Sequence, residues 1–195
     1  ICLVAVIGYI ISVLFNLGYT ELDGEEPRRA LVSIEMLHSG NYIVPTLYGW
    51  EYYNKPPLFN WILSGFMFIT QSSKEWVVRL PSLVFILLWA LTHYQFTKKY
   101  VSQSIALLSS IFLLTGGELY FYGLQNGGEM DIFYAFIVYL QVISLFYFFE
   151  KGSWLLLFLA SYIFCAIGFL TKAFPSVIFQ GLSLLALVFY ARSFC

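Results

Sequence analysis

The chain is 195 residues long, 60% hydrophobic and 21% aromatic, with 11% charged residues and a formal net charge of −1. Soluble domains carry about 25% charged residues, so this composition excludes a water-soluble globule. The lack of any basic run excludes a nucleic-acid surface.

The apolar residues fall in long runs. Residues 1–20, 80–97, 100–117, 132–149, 153–171 and 173–191 contain no Asp, Glu, Lys or Arg. A transmembrane helix needs about 20 mostly apolar residues, so the runs predict an all-α, polytopic membrane protein. The first span, 1–18, has no small-x-small cleavage site near its end and reads as a retained helix rather than a signal peptide. The chain starts at Ile1 and stops just after an apolar run, which reads as a fragment. Cys2, Cys165 and Cys195 sit in or beside apolar runs without metal-type spacing and read as packing residues.

The long polar stretch, about 19–57, follows. Within it 24-GEEPRRALVSIEMLHSG-40 carries helix punctuation: acidic Glu25 and Glu26 before Pro27 at the start, Gly40 at the end. Leu31, Ile34 and Leu37 recur at helical spacing, which predicts an amphipathic helix lying at the membrane surface. The stretch 52-YYNKPPLFNW-61 comes next. Lys55 precedes Pro56 and Pro57, so its backbone is biased toward an extended form. A lysine so placed, beside Tyr52 and Tyr53, suits a lipid phosphate: one point charge and two phenol donors. It equally suits a lysine that snorkels from a helix start.

At about 14 residues, 57–70 is short for a span and reads as re-entrant or interfacial. With spans near 76–97, 101–121, 131–149, 154–171 and 174–191, the basic sites Lys98-Lys99, Lys151 and Arg192 then share the cytoplasmic face. The loop 19–75, residues 122–130 and Lys172-Ala173 share the other. Charged groups at a membrane boundary usually mark a site. Glu25 and Glu26 with Arg28 and Arg29 could supply a general base and a phosphate clamp, or merely a capped helix with local ion pairs. Glu129 and Asp131 open an uncharged 18-residue run, again where capping would suffice with fewer acids. Lys172 lies between two apolar runs. His38 and His93 are too far apart in sequence to suggest a metal pair, although a divalent cation on the carboxylates is compatible with the pattern.

In this order, 25-EEPRR-29, 35-EMLHSGNYIVP-45, 52-YYNKPPLFNW-61, 79-RLPS-82 and 168-GFLTK-172 resemble the N-terminal half of the polyprenyl-phosphate-sugar glycosyltransferases. That family includes the lipid A aminoarabinose transferases and protein O-mannosyltransferases, of the multi-spanning GT-C fold. The resemblance implies one transmembrane glycosyltransferase domain whose N-terminal part is 1–195, with its catalytic motifs in the first extracytoplasmic loop, 19–75. It implies a polyprenyl-phosphate-linked sugar as donor, an acceptor lipid, protein or glycan, and a bacterial inner-membrane enzyme working on the extracytoplasmic face. Glu25 and Glu26 stand where the family has its catalytic acidic pair, usually Asp-Glu; Asp23 is the alternative equivalent. Lys55 matches the donor-phosphate lysine, with Asn54 where an acid is common. Glu129 and Asp131 match the second acidic motif, and Lys172 a lysine ending a later span. Arg28, Tyr52 and Tyr53 join Lys55 and Lys172 as donor-phosphate ligands. The rival class is a lipid or amphiphile transporter using the same charged outer pocket. It should place ionisable residues in the middle of its spans, and the runs here are uncharged.

Overall fold

The computed structural model describes residues 2–117, 119–120 and 127–192. Cys195 and residues 121–126, where the expected 101–121 span meets the 122–130 loop, lie outside the described residues, as do the side chains of Cys2 and Arg192. Eight helices and one small hairpin are described: α1 (Cys2–Asn16), α2 (Glu26–Ser39), β1 (Thr46–Leu47), β2 (Trp50–Glu51), α3 (Leu58–Thr70), α4 (Glu75–Thr97), α5 (Gln103–Thr115), α6 (Asp131–Glu150), α7 (Trp154–Lys172) and α8 (Pro175–Arg192). Among the described residues, α4, α6 and α7 are long and apolar enough to cross a membrane; α3, α5 and α8 are shorter apolar helices. The 13 residues of α3 match the short segment expected at 57–70.

One expected boundary moves. The expected span covers 101–121, but α5 stops at Thr115, where Gly116 turns to φ −57°, ψ 126°. Charge-free length says nothing about helix continuity, and paired glycines, Gly116 and Gly117, make a helix costly to continue.

The chain divides into two compact units. The first comprises Ile1–Tyr52 and Phe59–Phe133. One of its clusters joins α1, α4 and α5 to the first turn of α6 through Tyr9, Val13, Leu17, Ile86, Leu114 and Ile132. Another packs Ala30 of α2 and Leu63 and Met67 of α3 against Val77 and Val78 of α4. The α2 helix keeps its anticipated punctuation. Pro27 lies in its first turn, and Gly40 at φ 69° closes it, its N–H donating to the Met36 carbonyl. Its burial exceeds that of a surface helix, however. Arg29 and Ser33 are buried along with Val32 and Met36, because the Ser33 hydroxyl donates to the Asn60 carbonyl and Ser64 donates to the Ser33 carbonyl.

The second unit comprises Tyr53–Leu58 and Tyr134–Cys195. Within it α7 packs on α8. Gly168 permits the close approach, since a Cβ there would lie 2.7 Å from the Ser176 hydroxyl oxygen. A buried hydrogen bond from Gln180 Nε2 to Ser161 Oγ (3.0 Å) ties the same pair. Cys165 is a free, buried packing residue of α7.

Candidate active site

The first unit is organised by an ion pair that the sequence does not announce. Arg79, near the start of α4, reaches across 53 residues to Glu26: Nε donates to Oε1 at 3.0 Å and Nη2 to Oε2 at 2.8 Å. Both side chains are buried, at 2% and 0% exposure. The same guanidinium donates to the carbonyls of Leu17, Thr20 and Glu21. Glu26 in turn accepts from the backbone N–H of Gly128 (2.8 Å) and of Asp23 (3.2 Å). Three residues along α4, Ser82 donates to the carbonyls of Gly127 and Glu129. The 79-RLPS-82 motif is therefore a clamp, holding the loop before α2 and the loop before α6 at one place.

Gly128 has to be glycine here. A Cβ would stand 2.7 Å from Val78 Cγ1 and 3.1 Å from Glu26 Cβ and Cγ. Gly128→Ala is expected to cost about 1–3 kcal/mol, as overpacking does. A lowered melting temperature in detergent would register it; a wild-type melt would show that the loop moves aside freely.

Saturated on both oxygens, Glu26 has become part of the framework. Glu25 has not. It is the N-cap of α2 but makes no side-chain cap bond. Its carboxylate, 41% exposed, instead pairs with Arg28 Nη1 at 2.5 and 2.7 Å and with Arg29 Nη2 at 3.4 Å. Of the capped helix with local ion pairs expected as one reading of this stretch, the ion pairs are present and the side-chain cap bond is not.

Glu129 is the third carboxylate. It is half-buried and accepts the backbone N–H of Glu25. Burial, then the charges of Asp131, Glu25 and Glu26, push its carboxyl above the usual carboxylate range. Asp131 begins α6 and is exposed. The two acidic motifs, more than a hundred residues apart, are thus brought within electrostatic reach of each other.

Tyr52 is buried beside the arginines. Its hydroxyl meets Arg29 Nη2 at 3.4 Å, and the Arg29 guanidinium lies 5.8 Å from its ring centroid. A further hydrogen bond to Tyr52, then the Glu25 charge, raises the Arg28 pKa. Its position is set by the hairpin before it. Thr46 pairs with Glu51 and Leu47 with Trp50, around Tyr48 (φ 55°) and Gly49 (φ 79°). Positive φ at both central residues is the turn that suits the twist of paired strands. Glu35 of α2 caps the turn, accepting from Thr46 Oγ1, Tyr48 N (2.6 Å) and Gly49 N (3.3 Å). These bonds, the Thr46 hydroxyl first, hold its carboxyl below the usual range.

The second unit holds the lysines. Lys55 and Tyr53 lie in the segment that groups with Tyr134 and the residues after it; Lys55 is half-buried and Tyr53 is 72% exposed. Lys172, the last residue of α7, belongs to the same unit. Among the described residues, no group of three or more His, Cys, Asp or Glu side chains could hold a metal ion. His93 packs inside α4, its Nε2 3.0 Å from Ser109 Oγ. The sequence reading gave Glu35, Arg79 and Gly128 no functional role. Only Arg79 left a usable signal, as a charge inside a membrane-length helix.

Residues 54–194 match the family model of the dolichyl-phosphate-mannose-protein mannosyltransferases. The chain belongs to this family. Among its relatives are undecaprenyl phosphate-alpha-4-amino-4-deoxy-L-arabinose arabinosyl transferases. The one from Erwinia tasmaniensis is 29% identical over 87% of this chain and 31% of its own length. That from Wigglesworthia glossinidia brevipalpis is 29% identical over 92% of this chain and 32% of its own. The chain therefore spans about a third of the length of the curated relatives it matches. Its fold is similar to part of ArnT from Cupriavidus metallidurans. The apo crystal structure matches with a TM-score of 0.78 at 19% identity, and the structure bound to undecaprenyl phosphate with 0.82 at 18%. Each comparison covers 97% of this chain and 36% of the solved one. This mannosyltransferase-family chain is an integral membrane protein with the GT-C architecture expected from its motifs.

Proposed function

We propose that the chain forms the N-terminal, donor-handling part of an inverting glycosyltransferase in the bacterial inner membrane. It moves a sugar from a polyprenyl-phosphate donor to an acceptor hydroxyl or phosphate on the extracytoplasmic face. The observation that carries the reading is the arrangement of the first acidic motif. One carboxylate, Glu26, is spent on Arg79, while its neighbour Glu25 stays accessible beside Arg28 and Glu129. A framework acid next to a working acid is what a positioned base requires.

The acceptor oxygen attacks the anomeric carbon from the face opposite the phosphate, and configuration inverts. The bond to the phosphate oxygen breaks, and its electron pair leaves with the polyprenyl phosphate. Where the acceptor is a hydroxyl, its proton passes to Glu25; Glu129, with Asp131, orients the acceptor. Charge grows on the leaving phosphate, so cations there favour the transition state over the ground state. Lys55 and Lys172 take that role, with Tyr53 as a phenol donor. The prolines after Lys55 stiffen its approach, and α3 begins immediately after Pro57.

Lys55→Ala in the full-length protein is expected to cut sugar transfer about 10²–10³-fold, the range for losing one transition-state charge partner, with membrane insertion intact. Transfer of label from a radiolabelled polyprenyl-phosphate monosaccharide checks it. Wild-type transfer by the variant would remove Lys55 from the mechanism. A donor that changes leaflet without being consumed would replace the transferase with a transporter.

A further inference from the structure

Arg28 and Arg29 follow each other on α2, and both reach back to the carboxylate of Glu25, yet their surroundings differ. Arg28 is 38% exposed and Arg29 is 2% exposed. Tyr52 holds Arg29 from the other side, its hydroxyl 3.4 Å from Nη2 and its ring centroid 5.8 Å from the guanidinium carbon. Tyr52 is itself fixed. Its N–H donates to the Pro45 carbonyl at 2.8 Å, and it packs with Val32 and Met36 of α2 and Leu47 of β1. Support thus runs from the hairpin through Tyr52 and Arg29 to Oε2 of Glu25, which Nη2 meets at 3.4 Å. What Arg29 lacks is saturation: its Nη1 is buried with no hydrogen-bond partner. A buried donor left unpaired weakens a fold, and a buried ion pair is often no better for stability than apolar side chains of similar volume. Stability alone does not account for an arginine here.

The geometry points to Arg29 as a positioning residue that anchors Glu25 for proton transfer. The inference rests on the base role proposed for Glu25. The two arginines share the carboxylate unequally. Arg28 Nη1 covers both oxygens, at 2.5 and 2.7 Å, but as a partly exposed side chain it exchanges that contact for water at little cost. Arg29, sealed in and backed by Tyr52, has no such exit. When an acceptor hydroxyl displaces Arg28, Nη2 of Arg29 keeps Oε2, and Oε1 is the oxygen presented to the proton. The acceptor O–H bond breaks as its oxygen attacks the sugar, the proton passes to Oε1, and Oε2 remains the acceptor for Nη2. Burial also separates Arg29 from a phosphate ligand, which a headgroup has to reach. A misplaced base loses rate, so Arg29 acts on turnover and not on donor affinity.

The test uses the full-length protein in nanodiscs and three readouts: thermal unfolding, affinity for undecaprenyl phosphate, and kcat for transfer from a radiolabelled polyprenyl-phosphate monosaccharide. Arg29→Met should melt close to wild type, bind undecaprenyl phosphate as wild type does, and lose about 10- to 100-fold in kcat, the scale of a base displaced by about an ångström. Arg29→Lys returns a cation to the same place and should recover part of that loss. A wild-type kcat in Arg29→Met overturns the proposal. So does a loss of transfer matched by a loss of undecaprenyl phosphate affinity, the mark of a phosphate ligand. An Arg29→Met protein that melts far below wild type makes Arg29 part of the framework, and a lysine variant no faster than the methionine one shows that its charge anchors nothing; either result also overturns it. If Glu25→Gln transfers normally, the base role fails and the positioning role fails with it. If Glu25→Gln abolishes transfer and Arg29→Met does not lower it, only the positioning role is lost.

Discussion

Arg79→Ala is expected to leave little folded protein in detergent, although Arg79 lies outside the proposed chemistry. Its guanidinium satisfies both oxygens of Glu26 and the carbonyls of three residues in the 17–21 segment. Truncation leaves a carboxylate at 0% exposure with its cation gone. Breaking a buried pair from one side costs about 3–5 kcal/mol, against a net stability of about 5–15 kcal/mol for an ordinary domain. Glu26→Gln should be damaging too. Its single carbonyl oxygen cannot accept from all four donors, and its NH2 would face a donor. Removing both partners, as in Glu26→Leu with Arg79→Met, should recover part of the loss, because no charge is then stranded. Thermal unfolding of the purified variants checks all three. An Arg79→Ala protein that melts with wild type would mean the clamp contributes nothing to the fold.

That clamp also marks where the sequence stops being readable. Local rules give the helix ends well: Pro27 and Gly40 bound α2, and Ser102 caps α5 by accepting the Ile105 N–H at 3.4 Å. Such punctuation acts within a turn of the residue that causes it. The membrane class follows from composition alone. The distant partnerships do not. Nothing near Glu26 says that its cation lies 53 residues away, so Glu25 and Glu26 read as an equivalent pair until burial separates them. Gly128 reads as one more loop glycine until Val78 and Glu26 are placed against it. Glu35 reads as the polar face of an amphipathic helix. It is in fact the anchor of the Tyr48–Gly49 turn, whose two positive φ angles no periodicity foretells. In each case the missing information is which backbone amide or side chain a charge will meet. Tertiary packing decides that.

Glu25→Gln should show the opposite profile to the clamp variants, with stability nearly unchanged and transfer lost. Glu25 is 41% exposed; its short ion pair is to Arg28, 38% exposed, and its contact with the buried Arg29 is the longer one, at 3.4 Å. An exposed pair of this kind is worth about 0–1 kcal/mol. A positioned base contributes typically about 10²–10⁴-fold in rate. Asp23 provides the internal control. Its Oδ1 accepts the Gly24 N–H at 2.7 Å and its carbonyl accepts the Glu26 N–H, so Asp23→Asn keeps the turn and should keep transfer. If Asp23→Asn abolishes transfer while Glu25→Gln does not, the two residues exchange roles. The pH profile then separates base from orienting acid. Glu129 is held protonated to higher pH than an ordinary carboxyl, by burial and by its acidic neighbours. Its ionised form is the one that accepts a hydrogen bond on either oxygen. Transfer should therefore rise with pH through a limb lying above the usual carboxylate range, and Glu129→Gln should flatten that limb while lowering the plateau. A limb that survives Glu129→Gln unchanged would have to belong to another group, and the orienting role would leave Glu129 with it.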